Sequence, residues 1–283
     1  MKNILLTGST GFIGSELLKY LSNYNKVYIT VRKKYKINLN NKNINKIYFN
    51  SYKNLSYKIK KLKIDTVVHC ATHYVKNHNF EDIKKLSESN ILFGNIILEN
   101  LKIMRVKKFV NFSTVWENYD GKKDNCYNLY SAYKAGFGKV ISFYKKENKN
   151  IKFLNLVISD TFGLGDKRKK LVNLLKINYK RNLVTKVISK NLYINLLNVK
   201  DIVSAIKLIL KKNYKSDTYI LKNKNNFKIY DIIKKIEKYS QKKIKVKWLS
   251  NKTIKEKIYK FKTLKGWKPK NSGIQDIIKV ITK

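Results

Sequence analysis

The chain has 283 residues, 43% of them hydrophobic, with 63 Lys plus Arg against 18 Asp plus Glu and a formal net charge of +45. That length suits one large α/β domain or two joined ones, and the two cysteines, Cys70 and Cys126, lie too far apart for a metal-ligand spacing and argue against a disulfide framework. The lysines run through the whole chain beside abundant Asn, Ile and Tyr, so the charge reads as a solvated basic surface open to anionic ligands, with no nucleic acid as partner.

The N-terminal stretch MKNILLTGSTGFIG organises the rest. Ile4, Leu5 and Leu6 form a short apolar run of the kind buried in parallel sheets. Gly8, Gly11 and Gly14 follow, and three glycines in seven residues let a backbone turn sharply, approach a pyrophosphate and pack a helix on the strand. Ile13, Leu17, Leu18 and Leu21 recur at helical spacing, which puts the amides from Gly11 through Phe12 to Ile13 at a helix N-terminus, where a phosphate is favoured. The spacing G-x-x-G-x-x-G departs by one residue from the commoner dinucleotide fingerprint.

Lys26 to Val31 reads as a second strand, ending in Arg32 and Lys33. A dinucleotide fold usually sets an acid about 20 residues past the glycines to hold the ribose 2′-hydroxyl of NAD, whereas Arg there pairs with the 2′-phosphate of NADP. No carboxylate occurs from Leu17 to Ile64, which favours NADP, with NAD as the other choice. Asn45 to Phe49 is a third strand and Ile64 to Cys70 a fourth, leading into HCAT at the edge where ligands bind in open α/β sheets. His69 and His73 read as structural. Asn90 to Leu101 is predicted to be a buried helix, and Lys108 to Phe112 a fifth strand that ends in Ser113 and Thr114.

Tyr130 and Lys134, in NLYSAYKAGF, stand four apart and share one helix face. An ammonium beside a phenol favours the phenolate and moves its pKa toward a range useful for acid–base work, and Thr114 can hydrogen-bond the same substrate oxygen. Ile151 to Ile158 is a sixth strand.

Together with GSTGFIG, HCAT, Asn90, Ser113-Thr114 and Tyr130-S-A-Y-Lys134, the later segments TFGLGDKR, NVKDIVSAI and GWKP make the chain similar to the extended short-chain dehydrogenases, the nucleotide-sugar epimerases, dehydratases and ketoreductases. The resemblance implies a Rossmann-type, doubly wound parallel α/β sheet over residues 1–160. A small substrate-binding domain over 161–283 would return some segments to the first. It implies a catalytic set of Thr114, Tyr130 and Lys134, with Ser113 as the alternative hydroxyl because the segment up to Trp116 is shorter than the family's. Cofactor contacts would fall at Gly8, Gly11, Phe12, Ile13, Gly14, Arg32, Lys33, Ala71, Asn90 and Lys134, and Arg168 would meet the nucleotide diphosphate. No metal is expected, Asp201 reads as structural, and the implied assembly is a cytoplasmic homodimer. The segments VNFSTVWENY, NLYSAYKAGF and DTFGLGDKR most resemble the branch that reduces 4-keto-6-deoxy nucleotide sugars for surface polysaccharide, the alternative being an epimerase with tightly held NAD.

Overall fold

A computed structural model describes residues 1–32 and 41–283; Lys33 lies outside the described residues. The strand β1 (Asn3–Thr7) is buried from Ile4 to Thr7, as a central strand covered on both faces must be. It leads into α1 (Phe12–Leu21), which buries Leu17, Leu18 and Leu21. There follow β2 (Lys26–Arg32), β3 (Ile44–Phe49), α2 (Tyr52–Lys60), β4 (Thr66–His69), α3 (Phe80–Ser87), α4 (Phe93–Glu99), β5 (Lys108–Thr114), α5 (Leu129–Glu147) and β6 (Lys152–Ile158). Beyond them come β7 (Asp160–Phe162), α6 (Leu171–Arg181), β8 (Thr185–Val187), β9 (Leu192–Ile194), β10 (Leu196–Asn198), α7 (Val199–Lys211) and β11 (Asp217–Leu221). The last elements are β12 (Phe227–Lys228), α8 (Ile229–Ser240), β13 (Val246–Trp248), β14 (Ile254–Lys255), β15 (Lys262–Thr263) and α9 (Ile274–Thr282).

Among the described residues the main sheet has the order β15-β11-β6-β5-β4-β1-β2-β3, and the pairs β2–β3, β1–β2, β1–β4 and β4–β5 are parallel. The run 3-2-1-4-5-6 within it is the Rossmann order, with its switch point between β1 and β4, where a crevice opens at the C-terminal strand ends.

The helix expected over Asn90 to Leu101 is one part of a longer object. It begins at Phe80, fixed by a capping box in which Asn79 accepts from the Asp82 amide and Asp82 accepts from the Asn79 amide. Between α3 and α4 it widens into a π-helical turn, Glu88–Leu92. One extra residue per turn rotates the side chains of this segment relative to a regular helix, and hydrophobic periodicity carries no mark of it.

The chain divides into two units. The first comprises Met1–Val157, Ile209–Ile220 and Tyr259–Lys262, and the second Ile158–Leu208, Leu221–Ile258 and Thr263–Lys283. The first unit's core packs Leu5, Val67, Phe109 and Phe153 of the sheet against Ile97 and Phe93 of α4 and Phe137 and Ile141 of α5. The second has its own core, in which Phe162, Leu175, Ile232, Ile236, Ile277 and Ile281 meet. There Asp201, fully buried, accepts from the amides of Lys270 and Asn271, from Asn271 Nδ2 and from the Ser272 hydroxyl. So many donors on one carboxylate agree with the structural reading of this residue.

Candidate active site

The glycine turn is shaped by close packing. Gly8 sits at φ +67°, and a Cβ there would lie 2.5 Å from the Ala71 amide nitrogen. A Cβ on Gly14 would lie 2.1 Å from the Gly8 carbonyl oxygen, so helix and turn touch backbone to backbone. At Gly11 the nearest atom would be 3.3 Å away, a much looser fit. Gly11 is the N-cap of α1 and no side chain caps that end, which leaves the positive pole of the helix dipole at the mouth of the turn. Beneath it Thr7 Oγ1 accepts from the Ala71 amide at 3.2 Å and bonds His69 Nδ1 at 2.9 Å. His69 is buried, and burial first, then the Lys134 charge, pushes its pKa down to about 3. It is a neutral, hydrogen-bonded core residue. His73, which is only half-buried, bonds Asp82 Oδ1 at 3.4 Å through its ring and Asn90 through its backbone.

Arg32 ends β2 exposed at this same sheet edge and donates from Nη2 to Ser89 Oγ at 3.3 Å. Ser89 belongs to the π turn, and so does Asn90. Asn90 is 2% exposed, and its Oδ1 accepts from Thr72 Oγ1 at 2.9 Å and from the His73 amide at 2.7 Å while Nδ2 donates to the His73 carbonyl. The turn therefore fixes two things at once: the loop that carries Ala71, and one side of Arg32.

The third group stands on β5 and α5. A capping box sets the start of α5: Asn128 Oδ1 accepts from the Ser131 amide and Ser131 Oγ bonds the Asn128 amide, while Asn128 Nδ2 donates to the Lys76 carbonyl at 2.9 Å. Tyr130 thus lies in the first helical turn, half-buried, with the Tyr74 ring edge-on at 5.1 Å. Tyr74 in turn lies 6.0 Å from Trp116, whose ring is 5.0 Å from Tyr127. Lys134, one turn on, is 4% exposed; burial holds its pKa down and the Glu117 charge opposes that fall. Thr114, half-buried at the end of β5, accepts from the Trp116 amide at 3.3 Å, which leaves its hydroxyl hydrogen free to donate. Ser113 points to the opposite face of the strand, 2% exposed, and its Oγ has no hydrogen-bond partner among the described residues.

The residue that sequence reasoning passed over is Glu117. It follows Thr114 by three positions in a stretch of 3₁₀ turns, Val115–Gly121, and is 8% exposed. Burial raises its pKa, opposed by Lys134 and by a backbone hydrogen bond at Thr114. It is the only carboxylate between Glu99 and Asp120, a faint signal with no motif attached.

Within the second unit Arg168 is already engaged. Nε and Nη2 donate to the two oxygens of Asp166, both at 2.8 Å, and Nη2 also reaches Thr161 Oγ1 at 2.8 Å.

Tight glycines, an uncapped helix N-terminus and a cation at the next strand end fit a dinucleotide diphosphate and ribose. Among the described residues there is no group of three His, Cys, Asp or Glu that could hold a metal ion, and no helix is long and apolar enough to cross a membrane.

Comparison with known proteins agrees. The model of the NAD dependent epimerase/dehydratase family matches residues 4–221. The chain is 30% identical over 274 residues to a dTDP-D-glucose 4,6-dehydratase of Dictyostelium discoideum, a match that takes in 83% of this chain and 62% of that protein. It is 26% identical over 220 residues to a CDP-abequose synthase of Yersinia pseudotuberculosis, covering 74% of each. Its fold superposes on the UDP-N-acetylglucosamine 4-epimerase of Methanobrevibacter ruminantium M1 with a TM-score of 0.82 at 17% identity, covering 99% of this chain and 98% of that one. On its sheet order, its glycine turn and the family match over most of its length, the chain is a member of the NAD-dependent epimerase/dehydratase family.

Proposed function

We propose that this protein uses NADPH to reduce the ketone of a 4-keto-6-deoxy nucleotide sugar, a step in making surface polysaccharide in the cytoplasm. The observation that carries the cofactor choice is Arg32, at the strand end where an acid would serve NAD, in a stretch from Leu17 to Ile64 without a carboxylate. A reductase must exchange its cofactor at each turnover, and NADPH is the usual biosynthetic reductant. The likeness to a protein named CDP-abequose synthase supports a deoxysugar nucleotide as substrate.

In this reading the first-turn amides of α1 around Gly11, Phe12, Ile13 and Gly14 take the diphosphate, Arg32 and Lys33 the 2′-phosphate, and Ala71 and Asn90 line the crevice. The bound nicotinamide supplies a hydride to the sugar carbonyl carbon. Tyr130 donates its phenolic proton to the oxygen as charge develops there, and Thr114 Oγ steadies that oxygen with a second hydrogen bond. Lys134 holds the nicotinamide ribose and favours the phenolate left on Tyr130. Thr114 serves better than Ser113 because it stands half-buried at the strand end, whereas Ser113 is buried on the other face of the strand. Arg168 in the second unit, residues 161–283 by sequence, would take the sugar-nucleotide diphosphate, exchanging part of its hold on Asp166. The helices that carry Asn90 and Tyr130 would pair two chains as a homodimer.

The test is to incubate the protein with a panel of 4-keto nucleotide sugars and NADPH or NADH. One NADPH oxidised per sugar converted is the expected outcome. Interconversion of a non-keto nucleotide sugar with its epimer, without net change in cofactor, would overturn it in favour of an epimerase with tightly held NAD.

A further inference from the structure

Within the second unit, and among the described residues, β8 and β13 form a two-stranded parallel sheet, with Lys186 opposite Lys247 and Val187 opposite Trp248. The strand period of two sorts the side chains of both. Thr185 and Val187 are buried, and Val187, Val246 and Trp248 pack into the core of the unit. Val184, Lys186 and Ile188 alternate with the buried positions and stand outward, as do Lys247 and Leu249 on the neighbouring strand. Val184, Ile188 and Leu249 are 53%, 57% and 58% exposed, so three large aliphatic side chains meet water on one small face.

These side chains stand on a fixed platform. The Leu183 amide donates to the Asn178 carbonyl at 2.8 Å and Asn178 Nδ2 donates to Thr185 Oγ1 at 3.0 Å, which ties the start of β8 to α6. At the other end the Leu249 amide donates to the Val187 carbonyl and the Lys190 amide to the Ser250 carbonyl, both at 2.9 Å. The charge of the face has one sign: no Asp or Glu occurs from Lys167 to Lys200 or from Lys238 to Lys255, and Lys186, Lys245 and Lys247 are all exposed. Two lysines side by side on paired strands repel each other and work against the sheet, a cost that an anionic surface laid over them removes. The occupant must therefore be both anionic and apolar. A second copy seated on the same face would bring the lysines of both chains together. A nucleic-acid backbone offers phosphates but nothing apolar for Ile188 and Leu249 to enter. An anionic bilayer offers both, with phosphates at the level of the lysine ammonium groups and acyl chains just beneath.

We propose that the outer face of β8 and β13 docks this protein on an anionic phospholipid membrane, with Val184, Ile188 and Leu249 entering the headgroup region between Lys186 and Lys247. The proposal is independent of the reading given to the active site. It is tested by co-sedimentation of the full chain, at physiological salt, with vesicles of phosphatidylcholine alone or with one-third phosphatidylglycerol. Wild type should bind the anionic vesicles at least about tenfold more tightly than the neutral ones. Ile188→Ser with Leu249→Ser keeps every charge and should lose about tenfold in affinity for the anionic vesicles. Lys186→Gln with Lys247→Gln should lose about as much. Lys60→Gln with Lys63→Gln, which removes two exposed lysines of the first unit, should bind like wild type. Circular dichroism melts check that each variant is folded. If the double serine variant is not, Ile188→Ser and Leu249→Ser singly carry the same test, each losing about threefold. No binding of wild type to the anionic vesicles overturns the proposal, and so does unchanged binding of a folded serine variant. Equal losses from the two lysine pairs also overturn it, since diffuse charge would then account for the binding. Tighter binding to duplex DNA than to vesicles, lost in Lys186→Gln with Lys247→Gln and kept in the serine variant, would make this a nucleic-acid face instead. Dimers that form without vesicles and are abolished by the serine substitutions would make it an interface between copies.

Discussion

A methyl at Gly14 would place its carbon 2.1 Å from the Gly8 carbonyl oxygen and 2.7 Å from the carbonyl carbon. Ordinary carbon–oxygen contacts begin at about 3.3 Å, so turn and helix would have to part by about 1 Å. The atoms in the way are backbone, and Gly8 itself is pinned at φ +67° against Ala71. Overpacking costs about 1–3 kcal/mol in ordinary cores, and here we expect the top of that range. At about 2–4 °C per kcal/mol for a chain of this size, Gly14→Ala should melt roughly 6–12 °C lower. Gly11→Ala makes the informative contrast, because its nearest neighbour would be 3.3 Å away and its φ of −75° suits any residue. It should melt within about 2 °C of wild type, yet bind NADPH at least about tenfold more weakly, since the methyl stands where a diphosphate must come up to the helix end. Circular dichroism melts without cofactor and fluorescence titration with NADPH read the two effects separately. A Gly14→Ala protein that melts with wild type refutes the packing argument, and a Gly11→Ala protein with unchanged affinity refutes the phosphate cradle.

Tyr130→Phe keeps the ring against Tyr74 and should leave NADPH binding intact while steady-state turnover falls about 10²–10⁴-fold; equal activity would remove Tyr130 from the chemistry. Arg32→Asp should lose a charge-assisted contact of about 1.5–3 kcal/mol to the 2′-phosphate, read as a 10- to 150-fold weaker NADPH constant by titration, with NADH binding little changed or improved. His69 should make the fold acid-sensitive. Its folded pKa, about 3, lies below the unfolded 6.5, so the unfolded chain binds the extra proton first and stability falls as pH drops from about 6.5 toward 3. Urea melts across that range should show the slope in wild type and a shallower one in His69→Asn.

The sheet and its first crossover were legible because they rest on local rules. A continuous apolar run, glycines and a 3.6-residue pattern read the same way in any tertiary setting, and β1, α1 and β2 stand where Ile4 to Leu6, Leu17 to Leu21 and Lys26 to Val31 imply. The Tyr130–Lys134 spacing is local in the same sense. What stayed hidden depends on how side chains and turns meet in the folded chain. The π turn adds a single residue to a helix whose periodicity survives it, yet it is what sends Asn90 to the 72–73 loop and Ser89 to Arg32. Glu117 looks like any surface acid until the turns after β5 fold over α5 and bury it. Arg168 reads as a free cation in a basic run, but Asp166, two residues before it, closes on its guanidinium. Lys33 remains an expectation from its neighbour Arg32, outside the described residues.

The main sheet borrows its far edge from late in the chain. Strand β6 ends at Ile158, but the strand that covers its outer side, β11, starts at Asp217, and β15, beyond that, at Lys262. During synthesis at about 5–20 residues per second, the 59 residues from 158 to 217 take roughly 3–12 s to appear. For that interval β6 presents a row of unpaired amides and carbonyls to whatever is nearby. Lys108 and Lys145 wait too: their ammonium groups end on the carbonyls of Ile209, Lys212 and Ser216. A gene cut after residue 160 would make that exposure permanent, so a fragment ending there should aggregate where the full chain stays dispersed.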